Sequence, residues 1–160
     1  MQQEPRIVER DEQHYVAIRG TVTREHIGQI ADRLPEVFAW MAARNVTPVD
    51  APFLRYDVID MDGELVIEAG VPVEEPSTGE EEIVPGVLPA GRYASITHFG
   101  PFEELMDVTR VLLAWADKQN LEWDVDGNRW GGRLEFYRSD PRVEPDPSKW
   151  ETELLFRLRD

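Results

Sequence analysis

Cysteine is absent from the 160 residues of this chain, and histidine is scarce. Without thiols the chain has no disulfide, no cysteine nucleophile and no cysteine-ligated zinc or iron–sulfur site. The three histidines, His14, His26 and His98, lack the spacing of metal ligands, so we expect no metal and no cofactor. No apolar run approaches about 18 residues, and the N-terminus has no apolar signal core. These absences predict a cytoplasmic protein without a membrane-spanning helix.

Basic residues are also few. Seventeen lysines and arginines stand against 32 aspartates and glutamates, which gives a net charge of −15. Such a chain repels the phosphate backbone of nucleic acids and attracts cationic partners over long range. The segment before Ile7 is too short for a helix-turn-helix domain, so we expect no direct binding to DNA. Hydrophobic residues make up 41% of the chain, which is enough for the core of a soluble domain.

Hydrophobic periodicity divides the first half of the chain into strands and helices. A strand over 14–19 precedes a helical pattern over 24–45, in which Pro35 predicts a kink or the start of a second helix. Two strands follow, over 53–60 and 64–73. Residues 74–89 contain five glutamates, three prolines and two glycines, and we interpret them as an exposed acidic linker.

The second half repeats this order of elements. It contains, in chain order, a strand over 91–99, a helix over 101–119 and strands over 134–138 and 153–159. Trp40 in the first helix corresponds to Trp115 in the second, and Asn45 corresponds to Asn120, both with an offset of 75 (115 − 40 and 120 − 45). Each tryptophan also follows an alanine in both helices.

The repeat predicts the architecture of the whole chain. We expect a single α+β domain over residues 1–160, with pseudo-repeats at about 7–73 and 90–160 on either side of the acidic linker. Each repeat is a strand–helix–strand–strand unit. Together the units should form one antiparallel sheet with two helices on one face and a ligand cleft between the halves.

Three segments resemble motifs of the GyrI-like family, which includes the effector-binding domains of AraC-type and MerR-type multidrug regulators. Gly91 to Leu105 (GRYASITHFGPFEEL) is similar to the central motif of the family. Glu68 to Val73 (EAGVPV) resembles its Glu-x-Gly-x-Pro-Val strand, and Glu135 to Pro141 (EFYRSDP) resembles its Glu-x-Tyr-x-x-Asp-Pro strand and turn. The resemblance extends from about Ile7 to the C-terminus.

The resemblance implies both a fold and a class of ligand. Members have a duplicated strand–helix–strand–strand domain and bind bulky, lipophilic, often cationic molecules against aromatic walls and a buried glutamate. Because no DNA-binding domain is recognised before Ile7, the chain resembles a stand-alone form of this domain. A subset of the family is described as hydrolases that open strained, cyclopropane-containing alkylating agents.

Glu135 and Tyr137 are the first candidates for ligand binding. Period-two alternation puts Leu134 and Phe136 on one face of their strand, and Glu135 with Tyr137 on the other. We expect the apolar pair to pack beneath the helices, and Glu135 with Tyr137 to face the open side of the sheet, where we expect the cleft. A carboxylate in an aromatic cleft is costly to desolvate, and a bound cation compensates that cost. Cation–π contacts add roughly 0.5–2 kcal/mol.

Four further residues are candidates for the cleft: Tyr56, Glu68, Trp115 and Trp130. Tyr56 occupies the region of the first half that corresponds to Tyr137. Glu68 either provides a second acid in the cleft or has a structural role near Gly70. Trp115 continues the apolar stripe of its helix, which favours packing in the core over contact with ligand. Trp130 lies in the loop before the Glu135 strand, where it either covers the cleft or packs against the loop.

The leading functional hypothesis is a stand-alone domain that binds bulky, lipophilic, cationic compounds for sensing, sequestration or resistance. Two alternatives stay open. One is a hydrolase in which Glu135 is the catalytic general base. The other is a protein-binding inhibitor of a DNA topoisomerase, in which acidic surface would mimic DNA. The sequence leaves the oligomeric state open.

Overall fold

The computed structural model describes residues 3–60 and 62–160. Its helices and strands are, in chain order, β1 Arg6–Arg10, β2 Gln13–Thr23, α1 Gly28–Ala31, α2 Leu34–Ala43, β3 Phe53–Ile59, β4 Glu64–Pro72, β5 Ile83–Leu88, β6 Gly91–Phe99, α3 Leu105–Lys118, β7 Val125–Asp126, β8 Arg129–Trp130, β9 Arg133–Tyr137 and β10 Glu151–Arg157. Short 3-10 helices cover Arg24–His26, Phe102–Glu104 and Pro147–Lys149. None of the helices in this described part of the chain is both long and apolar enough to cross a membrane.

The strands form one antiparallel sheet that is symmetric about its centre. The order is β1-β6-β10-β9-β3-β4-β2-β5, and the two-residue strands β7 and β8 extend beside β3. Each half contributes an inner hairpin, either β3–β4 or β9–β10, and the strand that precedes its main helix, β2 or β6. The outermost strands are exchanged: β1 pairs with β6 of the second half, and β5 pairs with β2 of the first. The expected α+β fold with a duplicated unit and one antiparallel sheet is confirmed.

Strand β5 lies inside the segment that the sequence analysis interpreted as a linker. It pairs with β2 from Gln13↔Leu88 to Ile18↔Ile83. Pro85 is tolerated because β5 is at the edge of the sheet, where a missing N–H breaks no ladder on the outer side. Gly86 lies against the Tyr15 ring so closely that a Cβ atom would overlap it. The acidic and turn-forming residues of this segment predicted a linker and gave no indication of the short edge strand within it.

The helical pattern over 24–45 divides at Pro35. A 3-10 turn and α1 come first, and α2 then begins with Pro35 in its first turn, where its fixed φ and missing N–H suit a helix start. Val37 and Met41 of α2 pack on side chains of β2 and β4. Val108 and Leu112 of α3 pack on side chains of β6 and β10. This is the second of the two outcomes predicted for Pro35.

Both helical layers lie on one face of the sheet, as expected. Directly paired residues point to the same side, and the row Ala69–Leu54–Glu135–Leu154 crosses the central strands. Ala69 belongs to the cluster that packs against Ile30 of α1, whereas Leu154 belongs to the cluster that packs against α3. The row thus connects the two helical layers across the boundary between the halves.

The face without helices is apolar as well. Tyr15 and Leu88 from the first half form one buried cluster with Tyr93 and Leu155 from the second. Strands β2 and β6 are far apart in the order of the sheet, but only two residues join β1 to β2 and only two join β5 to β6, so the sheet curls around this face and brings its ends together. The helices consequently lie on the convex face, and a second core fills the concave face.

Candidate functional site

A cleft runs along the boundary between β3 and β9 on the helical face. Its volume is about 1440 Å³. The floor is formed by Leu54 and Tyr56 of β3 and by Glu135 and Tyr137 of β9. The walls come from both halves: α1, α2 and the preceding 3-10 turn on one side, and the start of α3 with its 3-10 turn on the other. A cleft between the two halves is therefore present, as the repeat predicted.

Glu135 lies at the centre of the floor and is held by two tyrosines. The Tyr56 hydroxyl donates to Oε1 of Glu135 at 3.0 Å, and the Tyr137 hydroxyl donates to the same atom at 2.9 Å. The pairing of Leu54 with Glu135 brings Tyr56 of the first half beside the second-half strand. No hydrogen bond to Oε2 is formed by any residue of the described chain. One oxygen is thus fully satisfied, and the other is left for water or a ligand.

Burial in the floor raises the pKa of the Glu135 carboxyl above its ordinary value of 4.5. The hydrogen bonds from Tyr137 and Tyr56 and the nearby Arg133 guanidinium act in the opposite direction, because they favour the ionised form. Burial and the neighbouring carboxylate together raise the pKa values of both tyrosines well above 10.0. The tyrosines therefore stay protonated as donors, while Glu135 takes up a proton at a higher pH than an exposed glutamate does.

The prediction that Glu135 faces the open side of the sheet is wrong. Leu134 and Phe136 point into the helix-free concave face, and Glu135 with Tyr137 points toward the helices. The alternation itself is correct. It could not identify the helical side, because both faces of this sheet carry an apolar cluster. The cleft opens between the helices and not on the opposite side of the sheet.

An aromatic wall that the sequence analysis missed adjoins Tyr137. The ring of Phe102, at the entry to α3, meets the Tyr137 ring at 5.5 Å between centroids in an edge-on contact. It also stacks on Trp150 at 4.7 Å. Phe102 lies within the Gly91 to Leu105 motif, directly after Gly100-Pro101, and this position was the available signal for its role.

Arg133 lies at the opposite end of the floor and is backed by Trp130. Its guanidinium carbon lies 4.7 Å from the centroid of the Trp130 ring and 4.5 Å from that of Phe156. Trp130 also packs against Trp123, at 5.8 Å between centroids. Trp130 is therefore not a lining residue of the cleft, which was one of the two alternatives for it. It packs against the core and supports Arg133, which does line the cleft.

Glu68 does not lie in the cleft, which corrects its assignment as a ligand-binding residue. It is 4% exposed and points into the concave face, because Leu65, Ile67 and Ala69 of the same strand take the helical face. The Tyr15 hydroxyl donates to Oε1 of Glu68 at 2.7 Å. Nη1 of Arg19 lies 3.5 Å from its Oε2. Glu68 is part of a buried polar network on the other side of the sheet.

Asp57 belongs to the same network. It accepts a hydrogen bond from Nη1 of Arg19 at 3.0 Å. Burial and the adjacent Glu68 raise the pKa of Asp57 to about 8, although Arg55 and Arg19 oppose the shift. The shift favours the protonated form of Asp57 on the concave face.

Trp115 is also outside the cleft. It is partly buried and packs against the cluster beneath α3, with Leu112 and Leu154. Trp40 occupies the corresponding position of α2 and packs against the cluster of the first half. Core packing, the favoured interpretation of Trp115, agrees with this position. Of the six predicted ligand-binding residues, the structure brings Glu135, Tyr137 and Tyr56 together, and it separates Glu68, Trp115 and Trp130 from them.

Comparison with known proteins gives one family match. Residues 3–159 match the family described as the GyrI-like small molecule binding domain. No match was found among curated proteins.

Several solved structures share the fold. The C-terminal domain of EcmrR superimposes with a TM-score of 0.79 at 20% sequence identity, over 98% of both chains. In the EcmrR–DNA complex the matched part is 57% of the EcmrR chain, so this chain spans little more than half of that protein. SAV2435 bound to tetraphenylphosphonium has a TM-score of 0.71 at 12% identity, over 98% of this chain and 94% of that one. A hydrolase from Listeria innocua has a TM-score of 0.64 at 17% identity, over 98% and 92%.

Proposed function

Because the chain belongs to the GyrI-like small-molecule-binding domain family, we propose that its cleft binds bulky, lipophilic cations with the Glu135 carboxylate as the counter-charge. One observation carries the proposal. Glu135 is surrounded by protein on the floor of a large cleft, and its two hydrogen-bond donors, Tyr56 and Tyr137, both contact Oε1. The other oxygen is unsatisfied by the described residues and is available to a ligand.

The energetics favour a cation over a neutral ligand. An ionised carboxylate that is removed from water needs a compensating charge or further hydrogen bonds. Two tyrosine hydroxyls and the nearby Arg133 guanidinium supply part of this compensation, and a cation in the cleft adds to it. Apolar and aromatic side chains around Glu135, such as Leu54 and Phe102, favour a ligand with its charge spread over a lipophilic body. The cleft also exceeds the roughly 300–1,000 Å³ of ordinary ligand pockets, so the ligand is bulky.

The structural neighbours support the same class of ligand. SAV2435, which shares this fold, is seen bound to tetraphenylphosphonium, a lipophilic cation. EcmrR, which carries a similar C-terminal domain, is seen bound to DNA. By analogy, the biological role proposed for this domain is sensing, sequestration or resistance toward such compounds.

Titration with tetraphenylphosphonium, followed by calorimetry, tests the proposal. Glu135→Gln keeps the size of the side chain and removes its charge, so the affinity should fall about 5- to 150-fold, the scale of a charge-assisted contact. Glu103→Gln is the matched control, because Glu103 is an exposed acid at the rim of the same cleft. Its affinity should stay within about threefold of the wild-type value. Wild-type protein that does not bind the cation, or equal losses in both variants, would contradict the proposal.

Hydrolysis of strained alkylating agents is the second candidate function. Burial raises the pKa of the Glu135 carboxyl above its ordinary value, which is the direction that favours general acid–base catalysis, and two phenols beside it can position an electrophile. A protein with this fold from Listeria innocua is named a hydrolase.

Incubation with a cyclopropane-containing alkylating agent, followed by mass spectrometry, should give a product with one added water. Turnover should fall at least about a hundredfold in Glu135→Gln. Product formation that is unchanged in this variant would exclude the role of Glu135.

A further inference from the structure

The cleft of this acidic protein contains an unexpected number of positive side chains. Five arginines line it: Arg24, Arg110, Arg133, Arg138 and Arg142. Three of them are neutralised by carboxylates of their own, since Arg110 pairs with Asp107, Arg138 with Asp50 and Glu153, and Arg142 with Asp140. Within the described chain, Arg24 and Arg133 have neither a side-chain hydrogen bond nor an ion pair.

Arg133 differs from Arg24 in being partly buried. The Arg24 side chain is exposed, whereas the Arg133 guanidinium lies against the rings of Trp130 and Phe156. Burial lowers the pKa of Arg133, although Tyr56 and Glu135 act against this effect. Aromatic rings compensate a buried cation only in part, and they leave its N–H donors without acceptors. Arg133 is therefore a preorganised cation whose donors are open to a ligand.

Arg133 and Glu135 occupy one face of the same strand. Residues two apart in a strand are about 7 Å apart and point to the same side. The two charges form no ion pair with each other within the described residues, so each is available to a different part of one ligand. The aromatic wall of Tyr137, Phe102 and Trp150 lies on the side of Glu135 away from Arg133. A cationic body has its place at this wall, because Arg133 repels positive charge from its own end of the floor.

We propose that Arg133 determines specificity by binding an anionic oxygen group of the ligand, so that the preferred ligands are aromatic zwitterions with a carboxylate about 7 Å from the cationic part. The fork of N–H donors on a guanidinium matches a carboxylate in a bidentate contact, and a lysine cannot reproduce this geometry. The inference deepens the proposed function and rests on it, since it assumes that the cation binds beside Glu135.

Three dyes with nearly the same xanthylium cation provide the test. Rhodamine B carries a free carboxylate, its ethyl ester does not, and tetraethylrosamine lacks the group entirely. We expect wild-type protein to bind rhodamine B about tenfold more tightly than either other dye, measured by fluorescence anisotropy. In Arg133→Gln this preference should disappear, because rhodamine B loses affinity relative to both other dyes.

Two further variants control for structure and for general charge. Arg133→Lys keeps a positive charge beside Phe156 and should restore part of the preference, which a merely misfolded variant would not do. Arg110→Gln removes a cleft arginine that already has a carboxylate partner, and it should keep the full preference.

The outcomes separate this inference from the proposed function. Dyes that bind in a Glu135-dependent way but show no preference for the carboxylate would overturn the role of Arg133 and leave the cation site intact. A preference that persists in Arg133→Gln would also overturn it. If neither the dyes nor tetraphenylphosphonium bind, the proposed function fails, and this inference fails with it.

Discussion

At the scale of single residues, Glu135 has two opposing influences on its charge. Burial favours the neutral acid, and hydrogen bonds from Tyr56 and Tyr137 favour the carboxylate. The segment Glu135-Phe136-Tyr137 predicted a glutamate and a tyrosine on one face of a strand, and this was correct. The same alternation could not reveal Arg133, because an arginine with no partner is not distinguishable in sequence from a solvated one.

The first prediction concerns the pH dependence of cation binding. Tetraphenylphosphonium should bind best when Glu135 is ionised, so its affinity should fall as the pH decreases through the pKa of the free protein. Because that pKa is raised, the loss begins above the ordinary value of 4.5. Calorimetric titrations at pH values on both sides of 4.5 should show the loss of affinity at low pH in wild-type protein. In Glu135→Gln the affinity should not change with pH. A flat wild-type profile would mean that the carboxylate does not contact the cation.

The same shift predicts the effect of Glu135→Gln on stability. A carboxyl with a raised pKa in the folded state binds a proton that the unfolded chain has released, so it costs stability as the pH rises above its ordinary value. At neutral pH the variant should be as stable as wild-type protein or up to about 1–2 kcal/mol more stable. Urea denaturation measures the difference. A loss of several kcal/mol would assign Glu135 a structural role.

Asp57 gives a pH prediction at a site away from the cleft. Its pKa of about 8 lies above its ordinary value of 3.8, so the folded state retains a proton that the unfolded chain loses. Wild-type stability should therefore decrease as the pH rises between these values, and then level off. Asp57→Asn should reduce this slope, so that the stability of the variant relative to wild-type protein increases by at least about 1 kcal/mol from pH 5 to pH 9. A parallel pair of profiles would exclude a proton held by Asp57.

At the scale of elements, the two main helices end in the same way. Asn45 and Asn120 have φ values of 57° and 58°. Val46 N–H donates to Met41 O at 2.9 Å, and Leu121 N–H donates to Ala116 O at 3.0 Å. Both ends are Schellman caps, in which the residue after the helix takes a left-handed conformation. The offset of 75 between the asparagines was thus a trace of duplicated structure as well as of sequence.

Substitution of the cap asparagines tests this correspondence. Asn120→Ala places a side chain with no local hydrogen-bonding capacity in the left-handed region, and it should cost about 1–2 kcal/mol. Asn120→Gly should be neutral or slightly stabilising, because glycine adopts this conformation without steric cost. Gln119→Ala is the control, since Gln119 has a φ of −86°. Thermal unfolding should show the order Gly, Asn, Ala at position 120 and no loss for the control. Equal effects of Gly and Ala would contradict the cap.

At the scale of the whole molecule, the order of elements and the repeat were sufficient to predict a duplicated α+β domain with its helices on one face. The curl of the sheet was not predictable, because it depends on the order in which distant segments such as β2 and β6 pair within the sheet. That curl buries a second core on the concave face, so the apolar residues of β9 did not identify the face that meets the helices. Glu135, Tyr56 and Tyr137 consequently lie in the cleft on the helical face, and Glu68 lies on the other side of the sheet.

The net charge of −15 acts on ligands at long range, in addition to the local contact with Glu135. The two effects differ in their response to salt, since screening acts on separated, exposed charges more than on a buried contact. Added salt should therefore slow the association of tetraphenylphosphonium more than it weakens its equilibrium affinity. Stopped-flow fluorescence and calorimetry on the same samples measure both. An affinity that disappears at high salt would locate the binding on the exposed acidic surface.

The central claim is that Glu135 makes the cleft selective for positive charge. Tetraphenylphosphonium and tetraphenylborate have nearly the same shape and opposite charges, so calorimetric titration of both with wild-type protein and with Glu135→Gln tests it directly. The cation should bind at least about tenfold more tightly than the anion in wild-type protein, and the difference should shrink by about 5- to 150-fold in Glu135→Gln. In Glu103→Gln, which changes the net charge equally, the difference should persist. Equal affinities of the two ions for wild-type protein, or a preference that survives in Glu135→Gln, would contradict the claim.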